Sequence, residues 1–331
     1  MKKAHLKLND ILFTNRGSNV GAIGLVNKEI SSGNIGPQLT LLRSNQEVYY
    51  LYLKSIMSSP IIEKQVLSQN SGSAMNFFGI GDTSKFKLPI PPLPEQQKIA
   101  SFLTAVDTKI QQLTQKQALL TDYKKGVMQQ LFSQQLRFQD ENGQEFPAWE
   151  ETQLSQLMSI PKKMQPAEID SNKLLTVKLH LKGVLKNNNT ESLTLGATNY
   201  FVRKKGQFIF GKQNLFNGAF SIIPDEFDGF LSSGDIPVLD INPGKMNPSF
   251  FLFYLSRESY YKKLESIASG SGSKRIHEST FLGILIDLPS LPEQTKIASF
   301  LTAIDDKIAL VTKQLHHAQQ FKKGLLQQLF V

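Results

Sequence analysis

Apolar residues recur at alternating four- and three-residue spacings through two long stretches of the chain. In residues 93–132 the stripe runs Ile99, Leu103, Val106, Ile110, Leu113, Leu120, Val127 and Leu131, broken at Gln117 and Lys124. In residues 291–330 it runs Ile297, Leu301, Ile304, Ile308, Val311, Leu315, Ala318, Leu325 and Leu329, with Lys322 standing where Lys124 stands in the first. So narrow a stripe is a coiled-coil seam, and it predicts two long helices, each the obvious partner of the other. Pro94 and Pro292 suit a first helical turn, and Glu95 and Glu293 favour the positive end of the helix dipole. A rod of about 38 residues would be roughly 57 Å long at 1.5 Å per residue.

The two stretches are copies of each other. LPEQQKIASFLTAVDTKI… and LPEQTKIASFLTAIDDKI… align without a gap at an offset of 198, identical at 23 of 40 positions. Ahead of the first, residues 1–92 mix short β patterns (Ile11 to Phe13, Ala22 to Val26, Leu39 to Leu42) with one helical run, Val48 to Leu67, and close on a proline-rich connector, Leu88 to Pro92. A polar stretch, Ser133 to Gly143, separates the first rod from a new start at Phe146, Pro147 and Trp149. Strands are then expected around Lys173 to Val177, Gly206 to Phe210, Ala219 to Ile223 and Asp235 to Leu239, and a helix from about Ser249 to Ile267. DILFTNRGSNVGAIGLV resembles GQFIFGKQNLFNGAFSII, and Ser71-Gly72-Ser73 parallels Ser269-Gly270-Ser271. The expected fold is therefore α+β: an α/β domain (1–92), a helix and linker (93–142), a second α/β domain (143–290) and a C-terminal helix (291–331), with the two helices antiparallel between the domains. About 60 residues, 146–205, precede the Gly206 strand, whereas nine precede Asp10. The first domain is thus expected to lack its opening segment, leaving an apolar face and strand edge that would recruit another chain.

Composition narrows the chemistry. With 40% apolar and 20% charged residues, the 331-residue chain fits ordinary two-domain globular structure. No window reads as a membrane span and MKKAHLKLND lacks a signal-peptide core, so a cytoplasmic location is expected. Zero cysteines exclude disulfides and thiolate chemistry, and five scattered histidines leave little for zinc. Of the net charge of +9, residues 1–92 carry +5, 93–142 +1, 143–290 +1 and 291–331 +2. That balance suits a polyanionic partner, nucleic acid above all, and equally a merely soluble surface.

Two variable α/β domains, each followed by a helix opening LPEQ.KIA.FL and closing YKKG or FKKG and QQLF, together with the F-P-x-W start, resemble the specificity subunit of type I restriction-modification systems. The resemblance covers essentially the whole chain. It implies two target recognition domains reading the halves of a bipartite double-stranded DNA site, a coiled-coil spacer, and no catalysis by this subunit. It also implies two modification subunits, which bind S-adenosylmethionine, and restriction subunits using ATP and Mg²⁺, with no cofactor on this chain.

Candidate DNA contacts follow from residue chemistry. Ser271, Ser273, Lys274 and Arg275 sit in a Gly/Ser loop whose free amides suit phosphates, with Ser71 and Ser73 at the equivalent place. Arg203, Lys204, Lys205, Lys212 and Gln213 flank the Gly206 strand, as Arg16, Ser18 and Asn19 follow the Ile11 strand; Arg, Lys, Asn and Gln can pair with base edges. Each of these also fits a plain solvated loop. Glu95, Lys98, Lys124, Lys125 and their copies Glu293, Lys296, Lys322 and Lys323 are candidates for docking two identical partner subunits, the alternative being that the lysines only complement helix dipoles. Asn247-Pro248-Ser249-Phe250 approximates the short loop of amino-methyltransferases, but without a second proline or a Gly-rich cofactor turn it is read as a helix start. No G-x-x-x-x-G-K-[ST] loop is present, and Pro224-Asp225 is not followed in nuclease order. A coiled-coil adaptor without DNA reading and a stand-alone methyltransferase or nuclease are the rival classes.

Overall fold

A computed structural model describes residues 5–69, 78–188, 198–270 and 272–330. The chain divides into two compact units, 1–119 with 308–331, and 120–307. Among the described residues no helix is long and apolar enough to cross a membrane.

In the first unit the three predicted β segments form one antiparallel sheet with Ile11–Thr14 in the middle, Ile23–Leu25 on one side and Leu39–Leu42 on the other. Ile11 and Phe13, two apart and so on the same face of the strand, are both fully buried. The expected helix over Val48 to Leu67 is instead two, Tyr50–Met57 and Pro60–Gln69. Pro60 has no amide to continue the first helix, and its ring fits only the opening turn of the next. Tyr52, Ile56, Ile62 and Phe78 close over the sheet and meet Ala100, Leu103, Leu326 and Phe330 of the two long helices in one core. Phe330 packs edge-on against Tyr52 at 5.6 Å.

The second unit repeats this plan and adds to it. Phe208–Phe210 is flanked by Phe220–Ile222 and Val238–Ile241, in the same order as in the first unit, and a fourth short strand, Met158–Ser159, pairs with the outer edge of Val238–Ile241. Glu150–Gln153 pairs antiparallel with Leu285–Leu288. These two strands, like Leu175–Val177, Val184–Lys186 and Tyr200–Val202, come from the opening segment, which has no counterpart among the described residues of the first unit. Phe208, Phe210 and Phe281 stack and Phe251 meets Phe208 and Phe281 edge-on, at 5.2 to 6.4 Å, in a fully buried aromatic core. The helix expected over 249–267 breaks into Pro248–Leu255, Glu258–Tyr261 and a tight turn, Lys262–Ile267.

The two long helices run Leu93–Phe132 and Leu291–Leu329, as the seam predicts. Within the first unit Gln117 donates to Thr312 Oγ1 at 2.6 Å and Lys322 pairs with Asp107 at 2.6 Å; within the second, Lys124 pairs with Asp305 at 2.6 Å. Numbers rise along one helix as they fall along the other, so the packing is antiparallel. The residues that interrupt the apolar stripe are therefore its cross-links. A polar group at a seam position is satisfied in one register only, and slipping the helices would leave it unpaired.

Each domain is fastened to its helix by a side chain that sequence reasoning passed over. The fully buried Gln96 accepts from the Tyr49 amide at 2.8 Å and donates to the carbonyls of Glu47 and Pro91, both at 2.8 Å. Gln294 does the same to the Asn247 amide (2.8 Å) and the carbonyls of Lys245 (3.1 Å) and Pro289 (2.9 Å). Every partner is displaced by the same 198 residues. The signal was in the sequence, since the Gln of LPEQ stands in both copies.

Candidate DNA interface

The second unit brings together some of the predicted DNA-contacting residues and separates others. Lys212 and Gln213 follow the central strand Phe208–Phe210 at one end. Lys212 N donates to the Asp235 carbonyl (3.0 Å), Ile276 N donates to the Lys212 carbonyl (2.9 Å), and Arg275 pairs with the Asp235 carboxylate at 2.8 Å. The turn at 212–213, the turn at 233–236 and the loop at 269–275 thus form one cluster. The loop is closed by paired backbone bonds between Ser269 and Arg275 (2.9 and 2.8 Å). Gly270 holds φ +116°, and a Cβ there would lie 2.6 Å from the Ser273 carbonyl oxygen, so only glycine fits. Ser273 and Lys274 are exposed. Ser271, Ser71 and Ser73 lie outside the described residues.

Charges in this cluster are paired within it: Lys274 with Glu265 at 2.7 Å, Arg275 with Asp235, and Lys212 with Glu278 at 3.0 Å. The first two pairs are half exposed and worth little, so a phosphate can replace the carboxylate at small cost. Lys212 differs. Its side chain is 14% exposed and that of Glu278 15%, which makes it a fixed support of the cluster.

Lys204 and Lys205 lie before the same strand, at its opposite end, and both are exposed; Lys205 is only 3.5 Å from Asp225. Arg203 corrects the sequence reading. It is buried, its guanidinium donating to Ser232 Oγ (2.6 Å) and to the carbonyls of Ser232, Ser233 and Ile236 (3.2 to 3.4 Å). Burial pushes its pKa down to about 10, with the Glu278 carboxylate opposing the shift only in part. Arg203 holds the Leu231–Ser233 strand and the following turn rather than facing a ligand.

In the first unit Arg16, Ser18 and Asn19 occupy the exposed turn after the central strand, the counterpart of the Lys212 turn. The turn is shaped by Gly17 and Gly21, both at positive φ, and closed by Gly21 N donating to the Thr14 carbonyl at 2.9 Å.

The docking candidates on the rods divide similarly. Lys125 and Lys323 are exposed as expected. Lys124 and Lys322 are occupied by Asp305 and Asp107, so they join the rods instead of presenting a surface. Glu293 is a further correction: fully buried, its carboxylate accepts from Arg137 Nε (3.1 Å) and Nη2 (2.8 Å) and from Trp149 Nε1 (3.2 Å). Lys296 donates to the Gln139 carbonyl at 2.6 Å. Their copies Glu95 and Lys98 are exposed. Asn247 caps its helix by accepting from the Phe250 amide at 3.1 Å, which is the helix-start role.

The family model described as the type I restriction modification DNA specificity domain matches residues 1–121 and 148–320. The chain belongs to this type I restriction-modification specificity family. Two specificity subunits of Methanocaldococcus jannaschii are similar over nearly its full length. The putative MjaX subunit is 27% identical over 349 residues, covering 98% of this chain and 78% of that protein. The MjaVIII subunit is 28% identical over 340 residues, covering 96% and 77%. Among solved structures, the S subunit from M. genitalium superposes with a TM-score of 0.60 at 16% identity, covering all of this chain and 84% of that one. The HsdS subunit from Thermoanaerobacter tengcongensis gives 0.50, also at 16%, over 100% and 83%. These likenesses show the shared fold: two mixed α/β domains with two long antiparallel helices. As a specificity subunit the chain is the DNA-recognition, non-catalytic member of its system.

Proposed function

We propose that this specificity subunit reads a bipartite, asymmetric duplex DNA target, one half with each α/β domain, and presents it to two modification subunits and to restriction subunits. The observation that carries this reading is the repeat of framework without repeat of surface. The Gln96 and Gln294 clips coincide bond for bond, while the loops after the two central strands share almost no residues, RGSN against KQNLFN. One scaffold carrying two different loop sets is what two different half-sites require. In this reading Lys274, Arg275 and Ser273 take phosphates, Gln213, Arg16, Ser18 and Asn19 approach bases, and Lys204 and Lys205 add positive charge at the other end of the strand. Lys125 and Lys323, the pair of docking candidates exposed in both rods, dock the two modification subunits. S-adenosylmethionine, ATP and Mg²⁺ act in those partners, and the purified chain alone neither methylates nor cuts DNA.

The test exchanges residues 143–290 for the corresponding stretch of another specificity subunit and sequences the methylome of cells supplying the modification subunit. One half of the methylated site should change and the other stay. Both halves changing, or neither, defeats the reading.

A further inference from the structure

In the second unit the chain makes a hairpin whose tip no motif foretold. Leu175–Val177 and Val184–Lys186 pair antiparallel as a two-stranded ribbon, with Leu175 and Val184 packed into the core. Between them Lys178 N donates to the Gly183 carbonyl at 2.9 Å and closes the loop Lys178-Leu179-His180-Leu181-Lys182, every residue of it exposed. His180 and Leu181 both hold φ at +58°. Left-handed backbone is unfavourable for a residue with a Cβ, and where it occurs it is usually a single glycine or asparagine, not two larger residues in succession.

The tip is held in that shape from outside. His180 N donates to the Asn217 carbonyl and Leu181 N to the Gly218 carbonyl, both at 2.9 Å. Gly218 itself has φ +74°, and a Cβ there would lie 3.1 Å from Leu181 N and 3.3 Å from Leu181 Cδ2, so the two loops close on each other where only glycine leaves room. The Leu181 side chain lies against Gly218, which gives a leucine reason to stand there. His180 has no such reason within the fold, because glycine would make the same amide bond and the residue is exposed. Backbone strain that the surrounding structure holds at an exposed side chain points to function.

The tip offers positive charge on a narrow support. Lys178 and Lys182 flank His180, and none of the three is in an ion pair among the described residues. Glu258, whose carboxylate senses His180, is taken up by Lys262 at 2.5 Å. The loop at 214–218, on which the tip rests, continues the Lys212–Gln213 turn, so tip and turn share one end of the domain. The major groove of duplex DNA admits a two-stranded ribbon, and an imidazole brings both a donor and an acceptor to base edges.

We infer that the hairpin tip is a DNA-reading element of the second domain, in which His180 meets base edges while Lys178 and Lys182 hold the phosphates on either side. The inference rests on the reading that this domain recognises one half-site. Leu179 and Leu181, each 40% exposed, would suit a protein partner instead, and the test separates the two.

The full chain is assembled with its modification subunits and compared with its His180→Gly and its Lys178→Ala, Lys182→Ala forms. Methylome sequencing gives the site, and gel shifts on that duplex give affinity at several salt concentrations. His180→Gly should hold or raise the thermal melt, since glycine is at ease at positive φ. It should also cut discrimination at one base pair of the second domain's half-site about tenfold and leave the other half-site unchanged. The double lysine change should weaken binding to all duplexes alike and lower the slope of log affinity against log salt by about two. The second domain's half-site is the one that moves when residues 143–290 are exchanged. An exchange that moves neither half defeats the domain reading, and the tip with it. An exchange that moves one half, beside a His180→Gly methylome identical to that of the unaltered chain, overturns the tip alone. A lower melt in His180→Gly makes the histidine structural, and modification subunits lost from the variants on gel filtration make the tip a protein contact; either overturns the inference.

Discussion

Glu95 and Glu293 are the same residue of a copied module, and their substitution by glutamine should nevertheless cost very different amounts. Glu293→Gln removes a buried carboxylate that accepts two bonds from Arg137 and one from Trp149. The Arg137 guanidinium would be left without its counter-charge, a loss of about 3–5 kcal/mol for a fully buried pair. Arg137 is 25% exposed and keeps the carbonyls of Phe146 and Pro147 at 3.1 and 2.7 Å. The lower end, about 3 kcal/mol, is therefore expected. Glu95→Gln alters an exposed side chain and should stay within about 0.5 kcal/mol. Trp149 is the only tryptophan and sits on this very carboxylate. Denaturant unfolding followed by its emission therefore reports on the second unit alone. The midpoint should fall sharply for Glu293→Gln and hold for Glu95→Gln, and adding Arg137→Met to Glu293→Gln should restore part of the loss. Equal effects of the two glutamines, or a Glu293→Gln loss under about 1 kcal/mol, would refute the placement of Glu293 as a buried anchor and of Glu95 as an exposed side chain.

Arg203→Met should destabilise the second unit by about 1–3 kcal/mol in thermal melts, because the Ser232 hydroxyl and carbonyl lose the guanidinium, while the carbonyls of Ser233 and Ile236 keep Ile236 N and Ser232 Oγ as donors. Lys204→Ala with Lys205→Ala should leave the melt in place and weaken DNA binding by the assembled complex in gel shifts. Gln96→Ala and Gln294→Ala should each cost about 1–3 kcal/mol by removing the partner of a half-buried amide and of two carbonyls, read as separate shifts in hydrogen exchange of the two domains. The Arg43 hydrogen bonds hold the buried Asp10 carboxyl below its ordinary 3.8. A depressed carboxylate stabilises the fold above its unfolded value, and that contribution is lost as pH falls through the folded one. Acid unfolding of the first unit below about pH 3.8 should hence become shallower in Asp10→Asn, which at neutral pH should cost about 1–2 kcal/mol, Arg43 being partly exposed.

The rods and the repeat were legible because they rest on a pattern sustained over many residues, which local accidents do not erase. The seam breaks at Gln117, Lys124 and Lys322 were visible too, but their partners Thr312, Asp305 and Asp107 come from the other helix, and only the packed pair explains them. Burial of single charged groups was not legible. Arg203 belongs to an Arg-Lys-Lys run that reads as surface, and it turns inward because the carbonyls of a strand nearly 30 residues away receive it. Glu293 is indistinguishable from Glu95 in its own sequence context; Arg137 and Trp149, far back in the chain, decide its environment. The helix at 48–67 was read through Ser58-Ser59-Pro60, where the proline should have ended it.

The Gln96 and Gln294 clips grip only main-chain atoms. Any residue but proline at 49 or 247 offers the same amide, and whatever stands at 47 or 245 the same carbonyl; the two copies already differ there, Tyr49 against Asn247 and Glu47 against Lys245. The joint is consequently blind to the side chains of the domain it holds. A domain can drift in sequence, or be replaced outright by recombination, without any compensating change in the helix that carries it, so that new DNA targets are open to such a protein while its assembly stays the same.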